Sequence, residues 1–247
     1  MIYRGRYDNI IFEFSLPEAP KGVVVICDGV PSVPKQKDVM VRLNSYGYTV
    51  IYPRYQGTWE SGGEFLARAP TDDINSIIKM LKNGSLTELY SGKNFTITGP
   101  IHVLGSSLGG SIALSLLDNL NIDKIIGLSP IIDFKTHNKN GDEQDLAWLR
   151  LFIQQAFNRA YQFSNENWDK MMAGEVFNPK HKIDLSRRKD ILIAYDLSDR
   201  EVNYKNIEEY CAQNKIKNII TKNTGHLSFS KIPDSVWGEI SYFLESN

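Results

Sequence analysis

Cysteine is scarce in this chain: Cys27 and Cys211 are the two in 247 residues, far apart and without a second Cys or a His at metal-ligand spacing. That excludes a disulfide framework and a zinc cluster, and free thiols fit a reducing cytoplasm, the expected compartment. Charge of one sign is missing as well. Lys and Arg number 28 against 29 Asp and Glu, a net charge of −1, which leaves no basic field for nucleic acid or for a membrane surface. Long apolar runs are lacking: those such as 23–27 fall far short of the roughly 20 residues that a membrane-spanning helix needs. The opening residues, Met1-Ile2-Tyr3-Arg4-Gly5-Arg6-Tyr7-Asp8, contain no apolar stretch of signal-peptide type, so secretion is not expected. Neither Gly-x-Gly-x-x-Gly nor a P-loop lysine occurs, and no internal repeat or low-complexity tract is visible.

What is present is alternation. Short β-branched runs bounded by Gly, Pro and Asp recur at 10–14, 23–27, 49–52, 101–104, 124–128, 191–195 and 216–221. Most are apolar on both sides, as strands of a parallel sheet covered by helices must be. Segments of helical period lie between them at 35–46, 71–81, 108–119, 201–214 and 234–243. Thr71-Asp72-Asp73 opens its helix with acidic side chains suited to the positive end of the dipole, and Pro233 precedes Asp234. The right-handed crossover rule then predicts an α/β fold, a doubly wound, mostly parallel sheet with helices on both faces, in which the first two runs form an antiparallel edge.

The rhythm breaks at 134–190, too long for an ordinary loop. A polar stretch, 137–142, leads into a helical segment carrying Trp148, Phe152, Phe157, Tyr161, Phe163 and Trp168, with Leu149, Phe152 and Ile153 at helical spacing. The expected organisation is a single domain over 1–247 with a helical cap at 134–190, whose aromatics either pack its helices or line a pocket.

Chemistry concentrates in Ile101-His102-Val103-Leu104-Gly105-Ser106-Ser107-Leu108-Gly109-Gly110. A strand runs into Gly-x-Ser-x-Gly and then into a helix. Gly-x-Ser-x-Gly alone is a weak signal, but at a strand-to-helix turn the serine is forced into a sharp bend where flanking side chains would collide. Ser107 is the candidate nucleophile, and the Leu108 N–H can donate to an oxyanion. A serine hydroxyl needs a base, and the chain has four histidines. His226, in Asn223-Thr224-Gly225-His226-Leu227, follows the last strand and is the candidate. His102 lies within the strand before Ser107, and His137 and His181 fall in the insertion. The imidazole needs a carboxylate to hold its tautomer. Asp199 is the better candidate because it lies past the end of its strand. Asp196 and Asp133 would also keep the chain order of serine, acid and histidine.

These residues resemble an α/β-hydrolase fold serine hydrolase, of the esterase and prolyl-oligopeptidase-like branch, from about Val23 onward. Gly105 to Gly109 matches the nucleophile elbow, Asp199-x-x-Val202 the acid loop and Gly225-His226 the histidine loop. The family's His-Gly-x-x oxyanion loop corresponds to Cys27-Asp28-Gly29-Val30-Pro31, with Asp28 in place of histidine. The resemblance implies that the Val30 N–H joins that of Leu108 in an oxyanion hole, which requires Asp28 to be turned away or hydrogen-bonded. The stretch from Tyr52 to Phe65 partly matches a family loop, with Arg54 expected as a structural ion-pair partner and Trp59 as packing or pocket.

The expected activity is hydrolysis of a carboxylic ester or thioester with a small apolar or aromatic acyl group, through an acyl-Ser107 intermediate and without metal or organic cofactor. The expected partner is a small-molecule ester or a short peptide. Trp59, Trp148 and Phe152 are the candidate pocket residues. Amide hydrolysis, acyl transfer and ligand binding without turnover are the rival readings.

Overall fold

The protein is described here by a computed structural model covering residues 1–137, 144–181 and 185–246. Ten strands and seven helices occur among these residues. The strands are β1 (Ile2–Tyr7), β2 (Ile10–Ser15), β3 (Gly22–Cys27), β4 (Tyr48–Pro53), β5 (Ser85–Thr87), β6 (Asn94–Thr96), β7 (Ile101–Ser106), β8 (Lys124–Leu128), β9 (Ile191–Asp196) and β10 (Lys217–Thr221). The helices are α1 (Lys37–Ser45), α2 (Pro70–Leu81), α3 (Leu108–Leu114), α4 (Leu146–Ala156), α5 (Asn165–Met172), α6 (Tyr204–Asn214) and α7 (Asp234–Glu245).

Successive residues of each central strand point to opposite faces, and both faces are apolar. Val23, Val25 and Cys27 of β3 face one core with Val103, Ile125 and Ile193, against α2, α3 and α6. Val24 and Ile26 face the other with Leu104, Ile126 and Leu192, against Met40 and Leu43 of α1 and Val236, Trp237 and Ile240 of α7. Two buried faces explain why the sequence shows unbroken β-branched runs. The sheet has eight strands in the order β1-β2-β4-β3-β7-β8-β9-β10. Pairing is parallel from β4 to β10 and antiparallel for β1 with β2 and β2 with β4. The doubly wound α/β architecture is therefore present.

The antiparallel edge differs from expectation. The runs at 10–14 and 23–27 are not neighbours: β2 lies between β1 and β4, and β3 between β4 and β7. The missing strand is β1, whose Arg4 and Arg6 give it a polar look because an edge strand needs only one covered side. Its Arg4 meets Glu13 across the pair at 3.6 Å and Glu60 at 3.1 Å. The short hairpin of β5 and β6 was also not foreseen. Helix α3 stops at Leu114, where i to i−3 bonds such as Leu116 N–H to the Ala113 carbonyl tighten the chain into turns. Helix α6 starts at Tyr204, because Glu201 and Val202 are tied to Asp199 and the Asn203 side chain accepts from Lys205 N–H.

Between β8 and β9 the chain forms α4 and α5. The Asp145 side chain caps α4 by accepting from the N–H groups of Ala147 (2.8 Å) and Trp148 (3.3 Å). Leu149 and Ile153 turn inward, and Trp168 of α5 is fully buried, with its indole N–H on the Leu146 carbonyl at 3.0 Å. Most of the polar stretch expected at 137–142 lies outside the described residues. No helix among the described residues is long and apolar enough to cross a membrane.

Candidate active site

Strand β7 delivers Ser107 at the carboxyl edge of the sheet, in the bend that leads into α3. Its backbone, at φ 56 and ψ −126, occupies a region that L-residues avoid. A side chain at Gly105 would put its Cβ 2.0 Å from the Gly109 carbonyl oxygen, and one at Gly109 would put it 2.0 Å from that of Cys27. The two glycines thus let β3, β7 and α3 close on one another around the serine. As the first residue of α3, Leu108 has no intrahelical partner for its N–H.

His226 sits in the loop after β10, 7% exposed, with Nδ1 at 2.9 Å and 3.2 Å from the two carboxylate oxygens of Asp199. Asp199 is buried, and it also accepts from the N–H groups of Glu201 (2.9 Å) and Val202 (3.1 Å). Burial opposes its charge, but the hydrogen bond and charge of His226 outweigh that, and the carboxyl is held below its ordinary range. Asp196 is engaged elsewhere: it accepts from Ser198, from the Thr221 hydroxyl at 2.7 Å and from the Thr224 N–H at 3.0 Å, so it fixes the histidine loop. Asp133 pairs with Lys180 at 2.9 Å and lines a separate cavity of about 390 Å³ that does not include Ser107. Two serines missed in the sequence hold the histidine loop from below. Ser106 donates to the Leu227 carbonyl at 3.1 Å, and Ser129 accepts from the Leu227 N–H at 3.2 Å.

The loop after β3 faces Ser107 from the other side, and a Cβ at Gly29 would lie 3.2 Å from that of Ser107. Asp28 is turned into the protein, where its carboxylate accepts from Tyr52 hydroxyl (2.6 Å), Gln36 amide (2.7 Å) and Gly29 N–H (2.9 Å). Burial nevertheless pushes its pKa up, against the pull of these donors. Arg54 is structural: it is buried, 3.1 Å from Glu13, and stacked 4.2 Å over the Tyr52 ring. Trp59 also braces this loop. Its indole N–H donates to the Ser32 carbonyl at 3.1 Å, while Tyr161 of the insertion accepts from Ser32 N–H at 2.9 Å.

Ser107 and His226 share a cavity of about 230 Å³ walled by Gly29, Val30 and Pro31 on one side and Glu201, Ser228 and Lys231 on the other. The Nε2 of His226 has no hydrogen-bond partner, Ser107 included, and its nearest charged group is Glu201 Oε2 at 3.7 Å. Serine–base contacts in empty sites are often loose and tighten with substrate. Among the described residues, none of Trp59, Trp148 and Phe152 is in the walls of this cavity. Trp59 is occupied at Ser32. Trp148 and Phe152 instead stack on each other at 5.4 Å on the outer side of α4, 55% and 37% exposed, because Leu149 and Ile153 take the inward side. Glu201 and Lys231 were missed in the sequence, although Glu201 lies two residues past the acid. No group of three His, Cys, Asp or Glu side chains among the described residues could hold a metal ion.

A mostly parallel sheet whose carboxyl edge carries a strained strand–serine–helix bend, followed in chain order by an acid and a histidine, is the α/β-hydrolase fold. The Pyrococcus furiosus esterase Pf2001 superposes with a TM-score of 0.67 at 17% identity, over 98% of this chain and 88% of that one. The esterase Est1E from Butyrivibrio proteoclasticus, solved with ferulic acid, gives 0.68 at 16% identity, over 98% and 99%. A soluble variant of the Saccharomyces cerevisiae monoglyceride lipase gives 0.64 at 14% identity, over 98% and 94%. Likeness at such identities speaks to the fold. No family profile matches the sequence, and no curated protein matches it significantly.

Proposed function

We propose that the protein is a serine hydrolase acting on small carboxylic esters. The observation that carries this reading is the coincidence, in one cavity, of a serine at positive φ and a histidine whose other ring nitrogen is fixed by a buried carboxylate. Ser107 attacks the carbonyl carbon while His226 Nε2 takes its proton. The oxyanion is held by the backbone N–H groups of Leu108 and Val30, and His226 returns the proton to the leaving alkoxide. Water then resolves the acyl-Ser107. Asp199 keeps Nδ1 protonated and stabilises the imidazolium. The esterases and lipase of the same fold support the ester class. A cavity of about 230 Å³ fits a short acyl group, with Val30 and Pro31 as its apolar wall. A small apolar acyl group is the one proposed, since the described wall of this cavity holds no Phe, Tyr or Trp. The segment 134–190, read as a cap, braces the oxyanion loop through Tyr161. Two buried free thiols fit a cytoplasmic protein.

The test is labelling with a fluorophosphonate probe together with turnover of p-nitrophenyl esters from acetyl to decanoyl. Labelling that disappears in Ser107→Ala, with kcat/KM highest for the short chains, is the expected result. An intact protein that resists the probe and hydrolyses none of the esters would falsify the reading.

A further inference from the structure

Among the described residues, Glu201 is the charged side chain of the catalytic cavity that stands beside the proton-transferring nitrogen of His226. Its backbone is pinned at both ends, by its N–H on the Asp199 carboxylate at 2.9 Å and its carbonyl accepting from Gln144 N–H at 3.0 Å. Its side chain is 47% exposed, lines the cavity, and reaches 3.7 Å from His226 Nε2. Among the described residues it has no lysine or arginine partner within ion-pair distance. Asp28, the other carboxylate of the cavity, is by contrast saturated by three donors. Lys231 lines the cavity too, without an ion pair to Glu201.

The position matters because Nε2 is the atom that hands the proton to the leaving group. A carboxylate beside it therefore borders the space that the leaving alcohol occupies, not the space of the acyl chain. It repels an anionic leaving group and attracts a cationic one. Resting on the hydrolase reading above, we infer that Glu201 makes the site selective for esters whose alcohol carries a positively charged nitrogen.

The probes are two acetyl esters of the same shape, one of a quaternary ammonium alcohol and one of its carbon isostere, assayed on the full chain. The readout is the ratio of their kcat/KM values, in which any general effect of a substitution on the machinery cancels. The intact protein is expected to favour the cationic ester by about tenfold, less at high salt. Glu201→Gln brings the ratio close to one whatever it does to the absolute rates, and Glu201→Lys inverts it. A ratio near one in the intact protein, or one that survives Glu201→Gln, overturns the role of Glu201 and leaves the esterase intact. Absence of turnover for both esters, with no labelling of Ser107, overturns the hydrolase reading and this inference together.

Discussion

At the scale of single residues, the two aspartates after β9 divide the labour by how their oxygens are used. Asp199 faces the imidazole, whereas Asp196 accepts from three other residues of its own loop and the histidine loop. Asp199→Asn should lower kcat/KM by on the order of 10⁴ with little change in unfolding midpoint. Asp196→Asn should do the reverse, lowering the midpoint in urea first, since it unfastens a loop and touches no reacting atom. His102 makes a different point. It is a buried residue of β7 with both ring nitrogens unpartnered, and burial lowers its pKa from 6.5 to about 4. The unfolded chain therefore binds a proton that the folded one refuses. Stability is full above pH 6.5, falls as pH drops toward about 4, and the loss from this one group approaches about 3 kcal/mol. Urea unfolding across that range should show the slope, and His102→Leu should flatten it.

At the scale of elements, the elbow depends on close approach of three backbones. Gly109→Ala places a Cβ 2.0 Å from the Cys27 carbonyl, which forces β3 and α3 apart. The expected cost is about 3 kcal/mol or more in urea unfolding, with loss of probe labelling at Ser107. Helix α4 depends on a single cap, so Asp145→Ala should cost about 1 kcal/mol. These elements also show what the sequence made legible. Strands buried on both faces, the Gly-x-Ser-x-Gly bend and the acid and histidine loops are local signals, set by side-chain type and spacing. Edge strand β1 was illegible because a strand covered on one side only tolerates arginines. The lining of the cavity was illegible for another reason. Which side of α4 faces the core is decided by the packing of Leu149 and Ile153 against partners distant in sequence, so Trp148 and Phe152 read as helix packing or as pocket lining, and neither reading placed them on the exposed side.

At the scale of the whole molecule, the near-zero net charge conceals how charges are placed. Arg54, Glu13 and Glu60 are consumed in ion pairs that fasten the antiparallel edge, and Lys124 and Arg187 both pair with Asp190 near the opposite end of the strands. The catalytic cavity holds Glu201, a carboxylate with no lysine or arginine ion pair among the described residues, and discrimination by substrate charge belongs there.

The two thiols give the molecule internal clocks. Cys27 ends the central strand β3 and Cys211 lies on the outer helix α6, both buried, and burial pushes the Cys211 thiol up to about 12 and that of Cys27 higher still. Neither should react with a disulfide reagent in the native protein, and both should react in denaturant. Fraying of α6 alone would expose Cys211, whereas Cys27 is reached only when the strands around it separate. Modification of Cys211 at low denaturant, well before that of Cys27, would time the fraying of one helix against the breaking of the whole sheet, with no label added to the chain.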